Sequence, residues 1–148
     1  MATIRYEERI QAPADAVWAI VSKADSIHEW FPGITSCTVE GNHRTIHVAT
    51  GISMPERIIA NDRLQRRFAY QIESPLFQMH LGTIDVIELA PNECLCVYST
   101  TAVPDVFALT IAGGSRGALT EIRRLAEGRQ SWVARFSSLR PTSSASTR

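Results

Sequence analysis

The sequence predicts an α+β fold: a curved, seven-stranded antiparallel sheet wrapped on a long C-terminal helix, with two short helices after the first strand. Three observations predict it. Thr3–Ile10 alternates, with Ile4, Tyr6, Glu8 and Ile10 on one face and Thr3, Arg5, Glu7 and Arg9 on the other, the pattern of a half-buried strand. Six more short strand-like stretches come after it at spacings too tight for the dozen or more residues that a parallel crossover needs. Finally, Phe107, Ile111, Gly114, Ala118, Ile122 and Leu125 recur at steps of three or four, one stripe of a helix. Helices segregated against an antiparallel sheet make the α+β class.

Taken in order, Ala12-Pro13-Ala14-Asp15 opens the first short helix, with proline near its start, and Val17, Trp18, Ile20 and Val21 give it an apolar stripe. A second short helix is expected around Asp25–Trp30, with Asp25 as its N-cap and Phe31-Pro32-Gly33 ending it. Strands are expected near Thr35–Glu40, Arg44–Thr50, Glu56–Asp62, Arg67–Glu73, Met79–Leu89 and Cys94–Val103. Gly41-Asn42 is a hairpin-type turn, and Asn61-Asp62-Arg63, Ser74-Pro75 and Pro91-Asn92 are further breaks. Pro104 and Asp105 start the long helix, which Gly128 is placed to cap, giving about twenty residues and a reach of roughly 30 Å.

Composition sets the function classes. A chain of 148 residues, 45% hydrophobic and 20% charged, suits one folded domain, here 1–128, followed by a Ser/Arg-rich tail, 129–148. Fifteen basic residues balance fifteen acidic ones, but Arg129, Arg135, Arg140 and Arg148 all lie in the tail. Residues 1–128 therefore hold eleven bases against fifteen acids, a net of −4, which excludes a nucleic-acid footprint. The three cysteines, Cys37, Cys94 and Cys96, form no disulfide framework, no apolar run approaches the ~20 residues of a membrane span, and Met1–Ile10 does not read as a signal peptide. The cytoplasm is the expected compartment, and a homodimer is compatible with this reading.

Over residues 3–127 the element order resembles the START-like, or SRPBCC, superfamily, the polyketide cyclase/dehydrase and Bet v 1 group with a helix-grip fold. Local signatures agree: Ile10-Gln11-Ala12-Pro13-Ala14-Asp15-Ala16-Val17-Trp18, Trp30-Phe31-Pro32, and Glu56-Arg57-Ile58 followed by Asp62 and Tyr70. Ser36–Glu40 and Gly51–Ile58 also resemble stretches of the plant abscisic-acid receptors, where the second stretch gates the pocket mouth and a His-Leu pair latches it. His80-Leu81 is matched to that latch. Those receptors hold a ligand carboxylate with a lysine, whereas Lys23 is the only lysine here and Phe31 falls at the corresponding place. The resemblance implies a pocket between sheet and long helix for a lipid, polyketide or similar molecule, with no cofactor.

Strand parity places Arg44, Ile46 and Val48 on one face, as it does Glu56, Ile58 and Ala60, Phe68, Tyr70 and Ile72, and Cys94, Cys96, Tyr98, Thr100 and Ala102. If these faces meet the helix, they make either an apolar pocket with a few polar groups or a solid core with a polar rim. The expected ligand-binding set is Trp30, Phe31, Arg44, Ile46, Val48, Met54, Glu56, Ile58, Tyr70, Leu81, Tyr98, Phe107, Ile111, Gly114 and Ala118. Glu56 and Arg44 form either a salt bridge in the pocket wall or an anchor for a ligand's polar group. Tyr70 and Tyr98 either donate to a ligand or satisfy their hydroxyls on a neighbour.

His80 is read first as a surface histidine, and otherwise as a mouth or acid–base residue; Glu56, Tyr98 and His80 are the catalytic candidates of an aromatase/cyclase or dehydratase alternative. Gly113, Gly114 and Gly117 inside the long helix leave room for a ligand or allow close packing or a kink, at roughly 1 kcal/mol each against alanine. His43 and His47 stand about 13 Å apart on a strand, so no metal site is expected. Trp132, Phe136 and Leu139 in the tail make either a short amphipathic docking piece or incidental apolar residues of a loose end.

Overall fold

Alternating burial along the strands organises the molecule. In a computed structural model, which describes the backbone of residues 1–137 and side chains as far as Ser131 except that of Gln130, seven strands form a single sheet. They are β1 (Ala2–Ile10), β2 (Ile34–Glu40), β3 (His43–Val48), β4 (Ser53–Asp62), β5 (Arg67–Ile72), β6 (Met79–Ala90) and β7 (Glu93–Val103). Their spatial order is β1-β7-β6-β5-β4-β3-β2, and every neighbouring pair is antiparallel. The short connections leave no other arrangement for β2 to β7, while β1 closes the far edge against β7 from Ala2↔Ala102 to Ile10↔Cys94. Register breaks in β2 (Ile34/Ser36), β4 (Ile58/Ala60) and β6 (Glu88/Ala90) bend those strands.

Two helices and a 3₁₀ turn cover the inner face. Helix α1 (Ala14–Val21) buries Ala14, Val17, Trp18, Ile20 and Val21, with Pro13 just before it and Asp15 in the first turn, where the helix dipole favours an acid. The second expected helix is instead a 3₁₀ segment, Ala24–Glu29, preceded by Lys23. Asp25 therefore lies inside the segment and caps nothing. Ser26 explains the tighter winding: its Oγ donates to the Lys23 carbonyl at 3.0 Å, a local bond that competes with an α-turn.

Helix α2 (Asp105–Ser137) is longer than expected, 33 residues, or roughly 50 Å at 1.5 Å per residue. Gly128 does not end it. A glycine stops a helix only when the residues after it cannot continue the winding, and Arg129 to Arg135 contains no proline. The boundary expected between a domain ending at 128 and a separate tail thus falls within a continuous helix; the side chains of Trp132 and Phe136, and all of Leu139, lie outside the described residues. The second half of α2 packs Ala118, Leu119, Ile122 and Ala126 against α1, β1 and β7. Together with Ile10, Val17, Val21, Ile27, Trp30, Cys94 and Cys96 these side chains form a solid core, each large one contributing about 1.5–3 kcal/mol by its burial. Among the described residues no helix is long and apolar enough to cross a membrane.

Candidate functional site

The first half of α2 does not meet the sheet so closely. Between it and β3–β5 lies a cavity of about 170 Å³, lined by Ile27, Phe31, Pro32, Ile34, Ile46, Val48, Met54, Glu56, Tyr70, Ile72, Thr110, Ile111 and Gly114. An engineered apolar cavity of about 150 Å³ holds benzene, so this volume takes one ring-sized group without rearrangement. Of the residues expected to bind ligand, Phe31, Ile46, Val48, Met54, Glu56, Tyr70, Ile111 and Gly114 line it. Arg44 and Tyr98 stand behind the lining, hydrogen-bonded to Glu56 and Tyr70. Trp30, Ile58, Phe107 and Ala118 pack around the cavity's surroundings without lining it. Leu81 is 39% exposed on β6 and points to the outer face.

The polar wall starts from a cross-strand pair. Arg44 of β3 and Glu56 of β4 are direct partners in the antiparallel register, so their side chains rise on the same face. Arg44 Nε donates to Glu56 Oε2 at 2.6 Å, both side chains are almost fully buried, and Arg44 Nη1 donates to the Ala24 carbonyl at 3.3 Å. The guanidinium also stacks on two rings, 5.1 Å from the Phe68 centroid and 5.0 Å from that of Tyr70. Burial raises the Glu56 pKa above the ordinary carboxylate value, and Arg44's charge and hydrogen bond oppose that rise. For Arg44 burial is the largest single influence and pulls downward, but the charge and hydrogen bond of Glu56 together with Tyr70 and Tyr98 outweigh it and hold the guanidinium firmly protonated. The salt bridge in the wall is present, and Glu56 is the member that reaches the cavity.

Beside this pair the Tyr70 and Tyr98 hydroxyls hydrogen-bond each other at 2.7 Å. Burial pushes both phenols well above their usual pKa, so both are neutral donors or acceptors. Tyr70 owes its position to a residue that sequence reasoning missed. Gly82 lies directly opposite Tyr70 in the β5–β6 register, and a Cβ there would sit 2.7 Å from the phenol oxygen. Only glycine lets the ring lie flat across β6. A lone glycine within an otherwise regular strand was the available signal.

His80 is not a surface residue: it is 2% exposed and lies between Tyr70 (ring centroids 5.5 Å) and Phe77 (5.4 Å). Its Nδ1 accepts the Ile72 backbone N–H at 3.0 Å, which leaves the proton on Nε2, a buried atom with no partner among the described residues. Burial lowers its pKa to about 4, so the ring is neutral at physiological pH.

Two of the helix glycines serve a loop. A Cβ at Gly114 would come within 2.6 Å of the Phe31 ring, and one at Gly117 within 3.0 Å of the Pro32 ring. The Phe31-Pro32 turn is thus seated in a notch of α2, with Phe31 edge-on to Tyr98 at 6.2 Å. Gly113 faces open space. The close-packing reading of Gly114 and Gly117 describes the contact, although the partner is the turn and not the sheet. Among the described residues no group of three or more His, Cys, Asp or Glu side chains is placed to hold a metal.

Comparison with known proteins fits this architecture. Residues 1–134 match the family described as polyketide cyclase / dehydrase and lipid transport. The chain belongs to this family. XoxI from Bacillus cereus is similar in structure, with a TM-score of 0.81 at 22% identity, covering 88% of this chain and 99% of its own. The Zhui aromatase/cyclase from Streptomyces gives a TM-score of 0.73 at 19% identity, covering 86% and 94%. A START superfamily protein from Mycobacterium smegmatis gives 0.69 at 15%, covering 85% and 97%. At these identities the likeness establishes the helix-grip fold of the polyketide cyclase / dehydrase family and not a shared reaction. No curated protein matches the sequence.

Proposed function

We propose that the protein binds a hydrophobic small molecule, a lipid, polyketide or similar compound, in the cavity between β3–β5 and the first half of α2. The carrying observation is the cavity itself: about 170 Å³ of space whose lining is apolar except for Glu56, Tyr70 and Thr110. Apolar walls supply the driving force, and a few fixed polar groups orient what enters. Glu56 is the anchor in this reading. Its Oε2 is held by Arg44, no hydrogen bond within the described residues occupies Oε1, and a hydroxyl or other donor on the ligand satisfies that oxygen. Phe31, Met54 and Ile111 provide the apolar contact surface around it.

Family membership and the likeness to an aromatase/cyclase favour a second reading, in which the same cavity catalyses a cyclisation or dehydration. Its supporting observation is a carboxyl with a raised pKa in the cavity wall beside a phenol, a pairing suited to proton transfer. Native mass spectrometry of the protein purified from its host, followed by denaturing extraction, tests the binding reading. A stoichiometric apolar molecule released on denaturation is expected. An empty protein that also fails to bind any hydrophobic fluorophore contradicts it. Turnover of an extracted polyketide that disappears in Glu56→Gln selects the enzyme.

A further inference from the structure

On the far side of the Phe31-Pro32 turn lies a second depression, about 310 Å³, lined by His28, Glu29, Trp30, Phe31, Pro32, Gly33, Ile34 and Glu121. It shares Phe31, Pro32 and Ile34 with the inner cavity. Phe31, Pro32 and Ile34 therefore stand between the two spaces. The backbone of this partition is pinned by hydrogen bonds. Phe31 N–H donates to the Ile27 carbonyl at 2.8 Å and the Phe31 carbonyl accepts from Ile34 N–H at 3.2 Å, which fixes the turn. The Phe31 side chain, by contrast, is only half-buried, and it rests against a glycine where any other residue would exclude it.

The outer depression has its own chemistry. Trp30, 2% exposed, lies in its wall, and its indole N–H has no partner among the described residues. A buried donor without an acceptor costs about 1–3 kcal/mol, a deficit that a ligand oxygen removes once neighbouring side chains, the adjacent Phe31 ring among them, turn aside. Glu29 and Glu121 border the same space with His28, and Arg124 pairs with Glu121 at 2.9 Å. An oxygen that can accept from an indole and donate to a carboxylate is a hydroxyl. A carboxylate-bearing end meets like charge there.

We propose that Phe31 is a hatch whose rotation joins the inner cavity to the outer depression, making one elongated site for a multi-ring, hydroxyl-bearing apolar molecule. The proposal rests on the pocket reading above and extends it: the inner cavity alone is ring-sized, and a longer ligand needs the partition opened.

Stopped-flow binding with p-cresol, 4-phenylphenol and biphenyl-4-carboxylate tests it on the wild-type protein and on Phe31→Ala. The single-ring p-cresol should bind the wild type without a slow opening step and Phe31→Ala more weakly, because that variant loses one wall of the inner cavity. 4-Phenylphenol should associate with the wild type slowly and with Phe31→Ala at least about tenfold faster, because opening no longer precedes entry. The carboxylate should bind both proteins at least about tenfold more weakly than 4-phenylphenol. An independent measurement needs no variant: nuclear Overhauser contacts between the Phe31 ring and the Gly114 α-protons should persist with p-cresol and vanish with 4-phenylphenol. Unchanged 4-phenylphenol kinetics in Phe31→Ala, contacts that survive its binding, or equal affinity for the carboxylate overturn the hatch while leaving the pocket standing. Failure of p-cresol to bind either protein overturns the pocket reading, and the hatch falls with it.

Discussion

Arg44→Met is the most informative single substitution, because the structure says what it leaves behind. Glu56 stays almost fully buried, its 2.6 Å partner gone. Breaking a buried pair by removing one member costs about 3–5 kcal/mol, against 0–1 kcal/mol for a surface pair. For a chain of this size about 2–4 °C of melting temperature corresponds to each kcal/mol, so the expected drop is roughly 6–20 °C. The loss should depend on pH. Burial already raises the Glu56 pKa, and Arg44 restrains it; without Arg44 it rises further. Between the ordinary carboxylate value and that raised one, the folded protein binds a proton that the unfolded chain has released. Stability then falls as pH rises, by up to about 1.4 kcal/mol per unit. Urea unfolding at pH 5 and pH 8 should accordingly show a small penalty at the first and the full one at the second. Arg44→Met/Glu56→Leu should recover most of it, since both charges leave together. A penalty below about 1 kcal/mol, or one independent of pH, would refute the reasoning by showing that water reaches the pair.

The remaining expectations test other contacts. Gly82→Ala places a methyl against the Tyr70 ring and should cost about 1–3 kcal/mol by overpacking, with loss of the Tyr70–Tyr98 hydrogen bond visible in the tyrosine ultraviolet spectrum; a neutral result contradicts the tight seat. His80, neutral and buried with a pKa of about 4 against 6.5 unfolded, makes the unfolded chain bind the extra proton in that window, so stability is lost as pH falls from 6.5 to 4, on the order of 3 kcal/mol. His80→Asn keeps an acceptor for Ile72 N–H and should flatten that acid slope in urea unfolding; an unchanged slope contradicts it. Burial pushes the Cys94 thiol up to about 11 and Cys96 higher still, so neither should be alkylated by iodoacetamide at pH 8 in the folded protein, and both should react in urea.

Strand parity made most of the site legible in the sequence. Because side chains alternate at a period of two, placing Ile46 inward also placed Arg44, and placing Ile72 inward also placed Tyr70. The same rule, applied to β6, contained the burial of His80: it shares parity with Ile84 and Val86, both buried, while Leu81 shares parity with exposed Ile87 and Leu89. The general expectation that a lone histidine lies at the surface overrode that signal. Other features are not local at all. Gly82 opposite Tyr70 needs the strand register, and the seats of Phe31 on Gly114 and Pro32 on Gly117 join residues more than eighty positions apart. The end of α2 was misplaced because a single glycine was weighed without the helix-compatible residues after it.

The central claim is that an apolar molecule enters between β3–β5 and α2, and methyl-detected NMR during titration with toluene tests it most directly. Saturable shifts should concentrate on Ile46, Val48, Met54, Ile72 and Ile111, with Val17, Val21 and Ile122 in the solid core unmoved. Shifts absent at saturating toluene, or spread evenly over both groups, would contradict it.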